Sequence, residues 1–112
     1  MKMLTIFAND QFAYEVDRDK TFTDEQLSFL DDMDRSMDRG IKLYGELIPQ
    51  PDSQQRASFV SMNLLKALQQ ENEAIASASG AYMVSRYPDL AEVHAKDEGG
   101  RVVIELVKES VN

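Results

Sequence analysis

The densest group of potentially reactive side chains is the acidic run over residues 31–38. It contributes four carboxylates, from Asp31, Asp32, Asp34 and Asp38. A calcium loop of the EF-hand type beginning at Asp34 would need glycine at its sixth position and a bidentate glutamate at its twelfth. The chain has Arg39 and Gly45 at those positions, so the spacing does not fit such a loop. We expect the run to form a solvated helix face and predict no metal site.

The single histidine, His94, is the other side chain suited to catalysis or metal binding near neutral pH. Either role needs a partner, and on a strand its nearest neighbours on the same face would be Glu92 and Lys96. Alternation of the surrounding residues predicts that His94 lies on the polar face of that strand. The sequence also has no cysteine, no Gly-x-Ser-x-Gly or Ser-x-x-Lys motif and no glycine-rich phosphate loop. We therefore predict no catalytic residue and no cofactor.

The side chains best suited to binding a small molecule are Tyr82, Arg86 and Tyr87. An arginine beside two tyrosines can hold a carboxylate through charge-assisted hydrogen bonds. This interpretation predicts a pocket between sheet and helices, in a small-ligand-binding protein or an enzyme. Tyr82 also falls on an apolar helical stripe, where it would pack in the core with its hydroxyl directed outward.

A second apolar face on the helical segment that begins at Ser53 suggests a protein interface. The residues outside its main stripe are Phe59, Met62, Leu65 and Met83. The tract over residues 74–81 is almost entirely small and would allow another helix to approach closely. A short chain has little interior, so two apolar faces on one helix are hard to bury in a monomer. We predict a homodimer formed through the helices.

The charge and hydropathy of the chain limit the partners and cellular locations that we expect for the protein. A net charge of −8 repels phosphate backbones, so we predict no nucleic-acid binding. The same charge fits attraction to a basic protein, or an acidic inhibitor that mimics nucleic acid through the residue 31–38 run. No stretch reaches the roughly 18–20 apolar residues that span a bilayer, and residues 1–8 are too short for a signal peptide. We expect one domain over residues 1–112, cytoplasmic and not bound to a membrane.

Turn and periodicity signals define the first half of the chain. Asn9 and Asp10 suit a two-residue hairpin turn, which predicts the pairs Phe7–Phe12, Thr5–Tyr14 and Met3–Val16. Thr23 and Gln26 form a potential capping box. Apolar residues then recur at helical spacing as far as Ile48, and Pro49 and Pro51 end the pattern. The pattern predicts one helix up to residue 48, weakened by Gly40 and Gly45.

The second half predicts a helical stretch and another hairpin. Asp52 or Ser53 is the expected N-cap, and helical spacing continues to about Tyr87. This favours one long helix, with a break near residues 70–73 as the alternative. The turn signal over residues 97–100 predicts pairs Ala95–Val102 and Val93–Ile104 on one buried face, with His94 and Arg101 pointing outward.

These elements predict an α+β fold of order ββ-α-α-ββ. Two β-hairpins would flank a helical hairpin, and an antiparallel sheet would pack on the helices. The absence of catalytic motifs and the generous apolar faces favour a noncatalytic protein-interaction or accessory and regulatory module.

Overall fold

The computed structural model describes residues 2–109 and confirms the α+β class, with a sheet packed against helices. The elements are β1 (Met3–Ala8), β2 (Gln11–Asp17), α1 (Asp24–Asp38), β3 (Ile41–Leu43), β4 (Glu46–Ile48), α2 (Ser53–Gln69), α3 (Glu73–Arg86), β5 (Leu90–Glu98) and β6 (Arg101–Lys108). The order is therefore ββ-α-ββ-αα-ββ, one hairpin and one helix more than the sequence predicts.

The two long hairpins join into a single four-stranded sheet of order β2-β1-β5-β6. Its central pair, β1 and β5, runs parallel, so the sheet is mixed and not purely antiparallel. A parallel pair needs a long crossover connection, and the chain between β1 and β5 supplies it with all three helices. None of the helices in residues 2–109 is long and apolar enough to cross a membrane.

The first hairpin has the predicted turn but a different register. Asn9 and Asp10 adopt positive φ angles of 50° and 67°, as the two-residue turn requires. Phe7 faces Phe12 as expected, but a bulge next to this pair shifts the rest by one residue. The predicted pairs of Tyr14 with Thr5 and of Val16 with Met3 are therefore wrong.

The bulge determines which side chains of the first hairpin reach the core. Tyr14 pairs with Ile6 and Val16 pairs with Leu4. Leu4 and Ile6 are fully buried, and the two β2 residues pack against the same core. A one-residue change in register moves a strand's side chains to the other face, so the bulge places Tyr14 and Val16 on the face opposite Phe12. Thr5 points away from the helices because it alternates with the buried Leu4 and Ile6.

Helix α1 begins at the predicted capping box but ends at Asp38, so the predicted helix to residue 48 is wrong. Gly40 follows with φ of 109°, a conformation that glycine adopts most easily. Tyr44 and Gly45 then form a turn with φ of 53° and 80° between β3 and β4. The tyrosine hydroxyl accepts a hydrogen bond from the backbone N–H of Ile104, at 3.0 Å, so this small hairpin lies against β6.

The long helical stretch is two helices, so the preference for one continuous helix is wrong and the break near residues 70–73 is correct. Glu71 has φ of 55° and follows the last turn of α2. Its N–H donates to the Leu68 carbonyl and the N–H of Asn72 to the Ala67 carbonyl, the pattern of a Schellman motif. The Asn72 side chain then caps α3 by accepting from the N–H of Ile75.

The last hairpin turns within the predicted residues 97–100, at Gly99 and Gly100, but its register is shifted by two residues, so the predicted pairs Ala95–Val102 and Val93–Ile104 are wrong. Ala95 pairs with Ile104. A shift of two residues keeps every side chain on its predicted face. Val93, Ala95 and Ile104 are buried, but Val102 lies near the hairpin end and remains 39% exposed.

The core lies between one face of the sheet and the helices. Gly80 of α3 sits against β2, so closely that a Cβ atom there would be 2.8 Å from Cγ2 of Val16. The side chains that alternate with the core residues point to the opposite side. We call this side the outer face: Thr5, Phe7, Phe12, Glu15, Glu92, His94, Lys96, Val103, Glu105 and Val107. All of them keep some contact with solvent.

Candidate functional site

The most connected polar group joins the three helices at Asp34. The Tyr82 hydroxyl donates to its Oδ1 at 2.5 Å, and Nε of Arg86 donates to its Oδ2 at 3.1 Å. From α2, Nη1 of Arg56 donates to Oδ1 at 3.2 Å and to the Asp34 carbonyl at 3.1 Å. One carboxylate of α1 thus binds side chains of both other helices.

The contacts at Asp34 keep it ionised and keep its tyrosine neutral. Burial raises the pKa of Asp34, but the hydrogen bonds from Tyr82, Arg86 and Arg56 outweigh it, so the pKa lies below its usual range. Burial and the hydrogen bond to the carboxylate raise the pKa of Tyr82. A neutral donor beside an ionised acceptor is a stable pair and not a proton relay. The geometry therefore favours a structural role.

Arginines bind all four carboxylates of the acidic run. Nη2 of Arg86 donates to Asp31 at 2.7 Å, and Nη2 of Arg56 donates to Asp38 at 2.5 Å. Asp32 pairs with Arg35 on the same helix. Since a phosphate mimic needs unpaired negative charge, this arrangement gives the nucleic-acid-mimicking interpretation little support. Within residues 2–109, no group of three His, Cys, Asp or Glu side chains is placed to hold a metal ion.

The structure brings together the three residues predicted to bind a ligand, with the Arg86 guanidinium 5.8 Å from the centre of the Tyr82 ring and the Tyr82 and Tyr87 rings 6.1 Å apart, but their polar groups bind other residues of the chain. Tyr82 is fully buried and faces Asp34. Arg86 donates hydrogen bonds to Asp31, Asp34 and Ser85, so much of its capacity to bind the carboxylate of a ligand is already in use. The Tyr87 hydroxyl donates to the Ser53 carbonyl at 2.7 Å and ties the end of α3 to the start of α2.

A pocket of about 670 Å³ lies beside Arg86 and Tyr87, between the sheet and the helices. Its walls are the start of α2, the end of α3 and the adjoining ends of β5 and β6. It is lined by Ser53, Gln54, Arg86, Tyr87, Pro88, Asp89, Leu90, Leu106 and Lys108. The lining combines an apolar floor with charges of both signs. Tyr82 is not part of it.

Of the four predicted interface residues, one is fully buried and three are partly buried. Met83 is completely buried, with its sulfur 3.9 Å from the hydroxyl of Ser61, so it is not accessible to a partner. Phe59, Met62 and Leu65 are partly buried against the core. Strands β3 and β6 contact α2 and help to cover its second apolar face. The sequence of the helix alone could not predict these contacts because both strands are distant from α2 in the chain.

Part of the small-residue tract does line a surface groove. Gly80 and Ser79 are buried, but Ala74, Ala78 and Ala81 form one wall of a depression between α1 and α3. We call this depression, of about 410 Å³, the helical groove; its other apolar lining residues are Phe22, Phe29 and Leu30. Phe29 is 53% exposed, and Ile75, beside the alanine wall, is 49% exposed.

An aromatic row crosses the outer face. Phe12, Phe7 and His94 occupy neighbouring positions on β2, β1 and β5. The Phe7 and His94 rings are stacked with centroids 4.7 Å apart, and the His94 Nε2 lies 2.8 Å from Oε1 of Glu92. His94 thus points outward as predicted, but Phe7 and Glu92 shield much of it. Phe12 at the end of the row is 61% exposed.

The helical groove and the outer face are apolar surfaces, the pocket beside Arg86 is mixed, and the polar cluster at Asp34 is held by internal hydrogen bonds. The chain matches no protein-family model, and neither a curated protein nor a solved structure is significantly similar to it.

Proposed function

We propose that the protein is a noncatalytic interaction module that forms a homodimer through the helical groove. The observation that carries the proposal is the combination, on one face, of a projecting phenylalanine and a groove walled by alanines. Phe29 supplies the projection, and Ala74, Ala78 and Ala81 supply the wall. A twofold axis beside such a face would insert the phenylalanine of each copy into the groove of the other.

Charges at the rim of the groove fit a second copy as well. Lys20 and Glu25 both line it. A twofold interface brings the same patch together in opposite directions, so the lysine of one copy can meet the glutamate of the other. A face with charges of one sign would repel itself. The rim charges of the groove are therefore compatible with a second copy.

The required interface is compatible with the size of the molecule. Stable interfaces bury about 800 Å² per partner, roughly a tenth of the 7283 Å² surface of this chain. Phe29, the exposed large apolar side chain among the residues that line the groove, provides the centre of such an area. Large apolar side chains at the centre of an interface contribute most of its binding energy.

Replacing Phe29 with aspartate is expected to convert the dimer into a monomer, because it places one charge in each of two apolar grooves. Sedimentation equilibrium at tens of micromolar measures the change. The matched control is Phe12→Asp, which adds the same charge at an exposed phenylalanine on the outer face and is expected to leave the dimer intact. A wild-type monomer, or a folded Phe29→Asp dimer, would contradict the proposed interface.

A second candidate function is the binding of a small anionic molecule in the 670 Å³ pocket. The pocket lies between sheet and helices and includes Arg86 and Tyr87, which supports the ligand-binding interpretation of these two residues. Lys108 provides a second cation in the lining, above the apolar side chains of Leu90 and Leu106. An aromatic carboxylate combines the required charge and apolar body.

Benzoate and phenyl phosphate are suitable probes of the pocket. If the pocket binds anions, titration followed by NMR should shift the backbone amides of Tyr87 and Leu106, and Lys108→Glu should abolish the shifts. Lys66→Glu, at an exposed lysine outside the pocket, is the control. Shifts that stay absent at millimolar probe, or that persist in Lys108→Glu, would count against this second function.

A further inference from the structure

We propose that the outer face binds a second partner, a basic protein segment that carries lysine or arginine together with apolar side chains. This inference goes beyond the proposed homodimer and uses the opposite side of the molecule. Its basis is an aromatic row surrounded by carboxylates on a sheet face whose residues all keep contact with solvent.

The apolar part of this surface spans three strands. Phe12 on β2 pairs with Phe7 on β1, which lies beside His94 on β5. Because the histidine ring stacks on Phe7, the row is already ordered before any partner binds. Phe12 ends the row with most of its ring in solvent. A preordered aromatic patch loses little entropy on binding and suits an interface centre.

Carboxylates surround the row. Glu15 and Glu92 flank Thr5, one row along the sheet from the phenylalanines. Glu105 on β6 pairs with His94 and lies at that end of the aromatic row. Against these three acids, the same side of the sheet carries Lys96 and Arg101, and Arg101 is paired with a fourth acid, Glu98, at the hairpin end. The patch therefore has a negative rim around an apolar centre, which is complementary to a partner with the reverse charge.

This distribution of charge selects among possible occupants. A second copy is disfavoured because Glu15, Glu92 and Glu105 of each copy would face the same carboxylates, and like charges in an interface cost free energy. Nucleic acid is disfavoured for the same reason. A lysine or arginine side chain can bind the carboxylates and lie over an exposed phenylalanine ring. The net charge of −8 also attracts a basic segment from a distance.

The test uses a short synthetic Leu/Lys peptide with amphipathic helical spacing, titrated against the full-length protein and followed by NMR. We expect shifts at Phe12, Phe7 and Val103 on the outer face. Phe12→Ala should weaken binding at least about fivefold, as expected when an interface aromatic is truncated. Glu15→Lys with Glu105→Lys should weaken binding further and reduce its dependence on salt.

Matched probes and variants separate this surface from general attraction to an acidic protein. The proposal is overturned if oligolysine binds as tightly as the Leu/Lys peptide, if Phe12→Ala binds like the wild type, or if the shifts map elsewhere. Phe29→Asp is expected to bind the peptide normally. Peptide binding by that variant therefore supports the outer face as the binding surface, whether or not the protein forms a dimer. Phe12→Ala, in turn, should not alter the oligomeric state measured by sedimentation.

Discussion

The variant Asp34→Ala is expected to lower the free energy of unfolding by about 2–3 kcal/mol, the range for leaving buried polar groups without partners. The Asp34 carboxylate accepts from Tyr82, Arg56 and Arg86. The arginines retain their second carboxylates, but the buried tyrosine hydroxyl loses the carboxylate that accepts its hydrogen bond. The loss should therefore arise mainly at Tyr82.

Chemical denaturation measures this loss, and Asp32→Ala is its matched control. Asp32 lies on the same helix and also pairs with an arginine, but both partners are exposed. Exposed ion pairs contribute only about 0–1 kcal/mol, so the control should unfold nearly like the wild type. Equal losses in the two variants would show that the three-helix contact at Asp34 does not stabilise the fold.

The pH dependence gives a second readout of the same contact. Despite burial, hydrogen bonds hold the pKa of Asp34 below its usual value. Its ionised form therefore adds stability above the unfolded-state pKa of about 3.9, and this is lost as pH falls through the lower folded-state pKa. The gap in stability between the wild type and Asp34→Asn should be constant near neutral pH and narrow below about pH 4. A gap independent of pH would exclude an ionic contribution.

Local signals in the sequence predicted the starts and turns of the structure well. The Thr23 capping box is present with both of its hydrogen bonds, and Asp52 caps α2 in the same way. The Asn9–Asp10 and Gly99–Gly100 turns also lie where predicted. Such signals depend on residues within a few positions of one another, so they can be read from a single sequence.

Periodicity failed where two patterns fit the same residues. Ile41 and Ile48 continue the helical stripe of α1, yet Ile41 and Leu43 also alternate as strand residues and are both buried. Contacts of this segment with α2 and β6 stabilise the strand form. Gly40 lowers the helical propensity between the two segments. Those contacts join distant parts of the chain, so the spacing of apolar residues within 41–48 could not predict them.

The polar cluster shows the same limit. The sequence identified Arg86 and Tyr82 as notable side chains and assigned them to a ligand. Their partner is Asp34, which lies 48 residues before the tyrosine and 52 before the arginine. Arg56 was not singled out at all. An arginine near the start of a helix that has no acidic residue in its first turn, together with an acidic run on another helix, is the signal that identifies such a contact in hindsight.

Replacing Gly80 with valine is expected to destabilise the protein by about 3 kcal/mol, at the upper end of typical overpacking costs. Even a single Cβ atom at this position would lie 2.8 Å from Cγ2 of Val16 and 3.7 Å from Cε2 of Tyr14. Because α3 and the edge strand β2 meet there, the added side chain must push them apart. A loss of this size should lower the melting temperature by roughly 10–20 °C.

A double-mutant cycle with Val16→Ala assigns this loss to the contact itself. Removing the two methyl groups of Val16 creates space beside residue 80, so Gly80→Val should cost at least about 1 kcal/mol less in the Val16→Ala background. The control, Ser28→Val, adds the same β-branched side chain at an exposed position of α1 outside the helical groove and should change stability by about 0.5 kcal/mol or less. Additive losses in the cycle would mean that Gly80 is needed for a reason other than the close approach of α3 to β2.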